Sequence, residues 1–294
     1  MYREFYGLIR SPFEMTPDPS FLFLGESHRE GLAMLHYALQ SRKGFVALTG
    51  EVGTGKTTLI HALLSQLESG LPSAFIFNPR VEPLDFLRML FDEFGIVDMC
   101  ETKAEYLMAL NHYLIDCLSK DRVPLLIIDE AQNLSTEMLE EVRLLSNLET
   151  PTSKLLQIML VGQPELNEML DKPELRQLRQ RIVLRHHLRP LAEDELDAYI
   201  DDRLRLAGYS GKGIFKRPAR KEILSVTGGI PRLVNVVCDS ALLLGYSREQ
   251  QAIGRDIIRE AARELRLLSP TASQKATEAG GAPARRWGWF GLFD

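Results

Sequence analysis

Between residues 44 and 190, short apolar runs alternate with longer stretches whose apolar positions recur every three or four residues. The runs FVALT, AFIFN, LLIID, LLQIMLV and IVLRHHL read as strands. Helices are predicted from about Lys56 to Leu67, between Pro83 and Leu118, after Ser135 and through Arg181. Such alternation specifies an α/β domain, a parallel sheet with helices on both faces, because a parallel connection has to cross over and a helix is the usual crossover. After Pro190 the strand pattern stops. EDELDAYIDDRLRLAG, ARKEILSVTGG, PRLVNVVCDSALLLGY and GRDIIREAARELRLL read as helices separated by Gly or Pro, forming a small all-helical domain.

The ends of the chain break this pattern. Prolines 12, 17 and 19 make PFEMTPDPSFLFL an extended, aromatic-rich strap. Ser27 is placed to cap the helix HREGLAMLHYALQ, with Leu32, Leu35, Tyr37 and Leu39 as its apolar contacts. From Ser269 to Arg286 the composition falls to that of a disordered linker, which leads to the aromatic ending WGWFGLF.

A chain of 294 residues, 45% apolar, can bury a sizeable core in one or two domains. The N-terminus has no apolar segment of signal-peptide length, and no run reaches the roughly 18 to 20 apolar residues that span a bilayer. A cytoplasmic protein is expected. Cys100, Cys117 and Cys238 are odd in number, lack metal-ligand spacing and sit in apolar surroundings that suit buried, reduced thiols.

Candidate chemistry begins where the first strand ends. GEVGTGKT, residues 50–57, matches G-x-x-x-x-G-K-[ST] between a strand and a helix. Glycines 50, 53 and 55 let backbone N–H groups and the helix N-terminus face phosphates, so Gly50, Glu51, Val52, Gly53, Thr54, Gly55, Lys56, Thr57 and Thr58 are the expected ATP-binding residues. Lys56 would bind the β and γ phosphates and Thr57 would ligate Mg²⁺. LLIIDE ends its strand in two carboxylates. Asp129 would complete the magnesium shell, and Glu130 would orient and deprotonate the attacking water. Gln163, at the end of QIMLVGQPEL, either hydrogen-bonds the water or the γ-phosphate, or is a turn residue before Pro164.

A phosphate loop, an acidic pair, a polar residue ending the next strand, arginines before the last strand and a helical domain opening on GGIPRLVN together resemble an AAA+ P-loop NTPase. More narrowly, FYGLIRSPFEMTPDPSFLFLGESHREGL, GEVGTGKTT, LLIIDEAQNL, LLSNLET, VGQPEL, LRQLRQRI and TGGIPRLVN resemble the ExeA/GspA family of AAA+ ATPases, linked to type II secretion and to pilus or exopolysaccharide systems. The resemblance covers residues 1 to about 268. It implies a strap and helix at 1–43 packing on the nucleotide site, an ATPase domain at 44–190, a helical lid at 191–268, and linker and tail at 269–294. It implies that Arg179 or Arg181 reaches a neighbouring subunit's ATP in a homo-oligomer, that Arg232 ties the lid to the γ-phosphate, and that Ser27 to Arg29 lie near adenine. Family members continue into a membrane-spanning segment and a periplasmic peptidoglycan-binding part; this sequence stops at Asp294, so the envelope-binding role is not carried over.

The implied function is ATP hydrolysis driving or regulating assembly of an envelope secretion, pilus or polysaccharide-export system. One feature suggests a different class. LRQLRQRIVLRHHLRP holds five arginines and two histidines, and Arg176 to Arg232 carries ten arginines and three lysines against seven acids, a local +6 in a chain of net −5. That excess supports an alternative, a DNA-associated AAA+ regulator of the TnsC/MuB type. The blander reading of Arg176, Arg185, Arg189, His186 and His187 is a solvated helix face and a charged edge strand. At the tail, Trp287, Trp289, Phe290 and Phe293 are candidates for peripheral membrane contact or for docking a partner.

Overall fold

All six residues of Phe45–Gly50 (β1) are buried, as expected of a strand covered on both faces. The computed structural model describes residues 1–268 apart from 15–20, 22, 68–69, 78–80, 99, 152 and 212. The linker and the tail tryptophans and phenylalanines lie outside the described residues. Before β1 come helices Tyr2–Tyr6 (α1) and Glu26–Gln40 (α2). After it follow Lys56–Gln66 (α3), Ser73–Ile76 (β2), Pro83–Phe94 (α4), Lys103–Ser119 (α5), Leu125–Ile128 (β3), Thr136–Leu145 (α6), Gln157–Gly162 (β4), Glu165–Leu170 (α7), Arg176–Arg181 (α8) and Ile182–Leu188 (β5). The strands form one parallel sheet in the order β2-β3-β4-β1-β5.

Successive side chains leave a strand on opposite faces, and β1 shows the result. Phe45 and Ala47 join a core with Phe86, Leu90, Leu110 and Leu139 from α4, α5 and α6. Val46 and Leu48 join another with Leu35, Leu59, Ile60 and Leu63 from α2 and α3. Thr102 caps α5 in a reciprocal box with Glu105, and Ser135 accepts from the Met138 N–H to start α6.

Two expectations for α2 are corrected. The helix starts one residue before Ser27, with extended Gly25 as its N-cap, and Ser27 is buried against β5, where its hydroxyl accepts the Arg189 backbone N–H at 3.1 Å. A tertiary contact thus takes the oxygen that the sequence offered to a cap. Tyr37 is 53% exposed, on the outer side of the helix, while Leu32, Leu35 and Leu39 are buried.

Helices Glu193–Leu206 (α9), Arg217–Thr227 (α10), Pro231–Ser247 (α11) and Arg255–Glu264 (α12) form the predicted helical part. Its core also takes in the beginning of the chain: Tyr6, Leu8 and Phe13 pack with Leu196, Ile200, Val237 and Ile257. The Tyr2 hydroxyl donates to Asp239 at 2.6 Å and the Tyr6 hydroxyl to the Gln250 carbonyl at 2.9 Å. The N-terminal segment therefore leaves the lid, passes the site described below, and enters the sheet domain through α2. Cys117 and Cys238 are buried and Cys100 is half-buried, all as free thiols. Among the described residues, no helix is long and apolar enough to cross a membrane.

Candidate functional site

The loop from Gly50 to Gly55 carries the chain from the end of β1 into α3, and Gly55 is the helix N-cap with φ 101°. No side chain caps α3, which leaves the N–H groups of its first turn available to an anion. Buried Thr54 stiffens the loop by donating its hydroxyl to the Glu51 carbonyl at 2.8 Å. Lys56 folds back into the loop, its Nζ donating to the carbonyls of Gly50 at 2.8 Å and Glu51 at 3.1 Å. Burial lowers the pKa of this lysine, against the nearby charges of Glu130 and Asp129, which favour the ammonium form.

At the end of β3 the Asp129 carboxylate is buried and accepts from the Thr57 hydroxyl at 3.4 Å and from the Glu130 backbone N–H at 2.8 Å. Burial raises its pKa. Glu130 occupies the left-handed region at φ 54°, which turns its side chain out of the strand direction. Its Oε2 accepts from Gln163 Nε2 at 3.0 Å and from Gln132 Nε2 at 2.5 Å. Gln163 is thus joined to Glu130 as well as preceding Pro164. Gln132 was not singled out from the sequence: the stretch DEAQNL contains it, but only the long-range contact to β4 reveals what it binds.

These residues line or adjoin a cavity of about 390 Å³ between sheet and lid. Val52, Gly53, Thr54, Gly55, Lys56, Thr57, Thr58 and Glu130 form its floor, while Pro231, Arg232 and Asn235 come from α11. Gly50, Glu51, Asp129 and Gln163 are not among the lining residues and join them through the hydrogen bonds above. The backbone N–H of Arg232 donates to the Gly53 carbonyl at 3.2 Å, so the lid touches the loop directly.

Of Ser27, His28 and Arg29, His28 reaches the cavity; it is buried and its Nε2 meets the Thr54 carbonyl at 2.9 Å, which requires a proton on Nε2. Arg29 points away and donates to the Leu24 carbonyl. The individual residues of the cavity's other wall were not read from the sequence. Glu14, Phe21 and Phe23 come from the strap, and Tyr199 and Arg203 from α9. The Arg203 guanidinium lies 4.8 Å from the Phe21 ring centroid and 5.2 Å from that of Tyr199, fastening strap to lid. No local pattern signals residues that meet only across the folded chain.

Arg179 and Arg181 do not line this cavity. Arg179 Nη1 pairs with Asp171 at 3.3 Å, and Arg181 donates to Ser146 Oγ and to Asn147 Oδ1, the latter at 2.6 Å. β5 is an edge strand, as the charged pattern suggested, yet His186 is covered by α2 and meets the Ser27 carbonyl at 2.8 Å, while His187 Nδ1 meets Thr49 Oγ1 at 3.1 Å.

A family model described as an AAA domain matches residues 39–170, the stretch that contains the loop and both strand-end carboxylates. Over residues 39–170 the sheet domain is thus similar to an AAA domain. The resemblance to the ExeA/GspA family also holds. Over 266 residues, 90% of this chain, the sequence is 44% identical to General secretion pathway protein A of Aeromonas hydrophila, and the chain spans about half, 48%, of that relative. Solved structures share the fold at low identity. Cdc6p from Pyrobaculum aerophilum matches with a TM-score of 0.67 at 16% identity, over 91% of this chain and 75% of that one. The Aeropyrum pernix ORC2 protein matches at 0.61 and 18%, over 90% and 74%. Thermotoga maritima RuvB, a Holliday junction branch migration motor, matches at 0.54 and 20%, over 83% and 70%.

Proposed function

We propose that the protein binds and hydrolyses ATP, assembles with its own copies, and uses the cycle to drive or regulate assembly of an envelope secretion, pilus or polysaccharide-export system. The observation that carries the ATPase reading is the convergence of Lys56, Thr57, Glu130 and Arg232 on one cavity between sheet and lid. The envelope role is supported by the likeness to General secretion pathway protein A, and the substrate puts the work in the cytoplasm, where ATP is held.

In this reading the N–H groups of the loop and of the α3 N-terminus receive phosphate oxygens, and the Lys56 ammonium exchanges the Gly50 and Glu51 carbonyls for the β and γ phosphates. The hydroxyl of Thr57 and the carboxylate of Asp129 are adjacent hard oxygen donors and suit Mg²⁺, which holds few protein ligands and completes its shell with water and phosphate. When bound there, the cation neutralises charge on the phosphates. Glu130 takes a proton from water as its oxygen bonds to the γ-phosphorus and the bond to the bridging oxygen breaks, giving ADP and phosphate. Gln163 positions the water or a γ-phosphate oxygen. Arg232 carries loss of the γ-phosphate to the lid, and Arg179 or Arg181 serves the site of a neighbouring subunit.

The DNA-binding alternative rests on the basic excess of residues 176–232. Part of that excess is met by acids from outside the stretch: Arg189 pairs with Glu30 and Arg179 with Asp171. The test is phosphate release and particle mass against protein concentration, with and without DNA, for the wild type, Lys56→Ala and Glu130→Gln. Turnover that rises with assembly, needs Lys56 and Glu130, and is indifferent to DNA is expected. Turnover that appears only with DNA would transfer the protein to the alternative class.

A further inference from the structure

Glu130 and Gln163 end different strands, and a third side chain binds them both. From Glu130 the chain enters a single 3-10 turn, Ala131–Asn133, whose Ala131 is fully buried beneath it. That turn aims Gln132 at the end of β4. One end of its amide donates to Glu130 Oε2 at 2.5 Å, and the other accepts the Gln163 backbone N–H at 3.0 Å. The Gln163 side chain closes the ring by donating to the same Glu130 Oε2 at 3.0 Å. The backbone makes room for this arrangement. A Cβ on Gly162 would stand 2.7 Å from Gln132 Oε1 and 2.9 Å from Leu166 Cδ2, so a side chain before Gln163 would displace the Gln132 amide.

We infer that Gln132 is a positioning residue that couples Gln163 to Glu130, holding the carboxylate aimed while the Gln163 amide turns toward a phosphate. The inference rests on the ATPase reading above. Two amide donors share one carboxylate oxygen in this structure. When the Gln163 side chain leaves Oε2 for a phosphate oxygen, Gln132 remains as the donor that fixes Glu130, and its other end still fixes the backbone from which Gln163 swings. Only an amide of this length supplies both ends. Glutamate keeps an acceptor for the Gln163 N–H but sets a second carboxylate beside Glu130; methionine fills the space and supplies neither bond. Gln132 and Gln163 are the side chains that donate to the Glu130 carboxylate, and a small misaim of a reacting group is costly, on the order of 10²-fold per ångström.

The experiment compares wild type, Gln132→Met, Gln132→Glu, Gln163→Ala and the double variant Gln132→Met/Gln163→Ala, measuring kcat, the Kd of a fluorescent ATP analogue and the denaturation midpoint. Gln132→Met should lose at least about ten-fold in kcat while keeping Kd within about two-fold and its midpoint unchanged, as expected of a group acting only on turnover. Gln132→Glu should lose turnover as well. The double variant should be no slower than the slower single variant, because the two residues act as one unit. Wild-type kcat in Gln132→Met, or losses that multiply in the double variant, would overturn the coupling. If Gln132→Met fails to fold, the Gln132→Glu result decides, with wild-type kcat overturning the proposal. If the wild type itself turns over no ATP, or Lys56→Ala is as active as the wild type, the ATPase reading falls and takes this inference with it.

Discussion

Gly53 and Arg232 approach so closely that a Cβ on the glycine would stand 2.6 Å from the arginine Cβ, and Gly53 has φ +84°. The glycine-rich loop and the helix that opens the lid are also in direct backbone contact, the Arg232 N–H donating to the Gly53 carbonyl. A shape change at one is felt at the other without an intervening side chain.

Gly53→Ala should consequently do more than strain the loop. The added methyl meets both an unfavourable φ and the Arg232 Cβ, which is fixed to its backbone, so the lid must back away from the loop. Nucleotide affinity should fall at least about ten-fold, equivalent to about 1.4 kcal/mol, while Arg232→Ala, which leaves the backbone contact intact, should keep binding and lose turnover. Equilibrium binding beside phosphate release separates the two. Equal losses of affinity in both variants would show that the guanidinium, and not the backbone contact, holds the ligand.

The lid has its own charged clasp. Glu222 of α10, 8% exposed, accepts from Arg255 at 2.6 Å and Arg259 at 2.7 Å on α12. Burial pushes its carboxyl up, but the two guanidinium groups outweigh burial and hold it below the ordinary value of 4.5. A depressed folded pKa means stability that is present above the unfolded value and lost as pH falls through the folded one. Because both arginines are about half exposed and rehydrate when released, Glu222→Gln should cost only about 1 to 2 kcal/mol at pH 7. Denaturation curves at several pH values should show the gap between wild type and variant closing below about pH 4.5. A gap that persists at acid pH would assign the loss to packing and not to charge.

The sheet domain was legible because its information is local. Five apolar runs, a glycine-rich loop and an acidic strand end each lie within a few consecutive residues, and the fold brings Lys56, Thr57, Asp129 and Glu130 together as the motif spacing implied. What the sequence concealed is what the fold brings from far away. Ser27 precedes a helical pattern and reads as a cap, but a partner 162 positions away takes its hydroxyl. Phe21, Tyr199 and Arg203 face one cavity from the strap and from α9, and no spacing rule links them. Gln132 sits inside a quoted motif, yet its role depends on a left-handed Glu130 and a bare Gly162, neither visible without the backbone.

His28 connects α2 to the phosphate loop through a bond that exists only with the imidazole proton on Nε2. Burial lowers its pKa from the ordinary 6.5, more strongly than the Thr54 carbonyl and Glu195 raise it. Below about pH 6.5 the unfolded chain binds a proton that the folded chain does not, so stability is lost as pH falls from the unfolded toward the folded value. Replacing His28 with glutamine keeps an amide donor and removes the titration. The denaturation midpoint of His28→Gln should therefore fall less steeply than that of the wild type between about pH 7 and 5.5, and parallel curves would exclude His28 as the titrating group.

Arg179 and Arg181 differ in how firmly this structure holds them, and that difference ranks them as candidates for the group that would serve a neighbouring subunit in the proposed assembly. Arg179 is 45% exposed and its partner Asp171 60% exposed, at 3.3 Å. An ion pair so solvated contributes about 0 to 1 kcal/mol and is readily exchanged for a phosphate. Arg181, by contrast, donates from both terminal nitrogens to Ser146 and Asn147 and fixes the turn that follows α6. Arg179→Ala should leave stability within about 0.5 kcal/mol and nucleotide binding unchanged, yet abolish the rise in turnover with protein concentration. Arg181→Ala should cost about 1 to 2 kcal/mol, the worth of two hydrogen bonds. Measured by denaturation and by concentration-dependent phosphate release, a stable but inactive Arg181→Ala beside a fully active Arg179→Ala would exchange the two roles. Full activity in both would remove this helix end from the interface altogether, leaving Arg176, Arg185 and Arg189 as the remaining guanidinium groups of the same stretch.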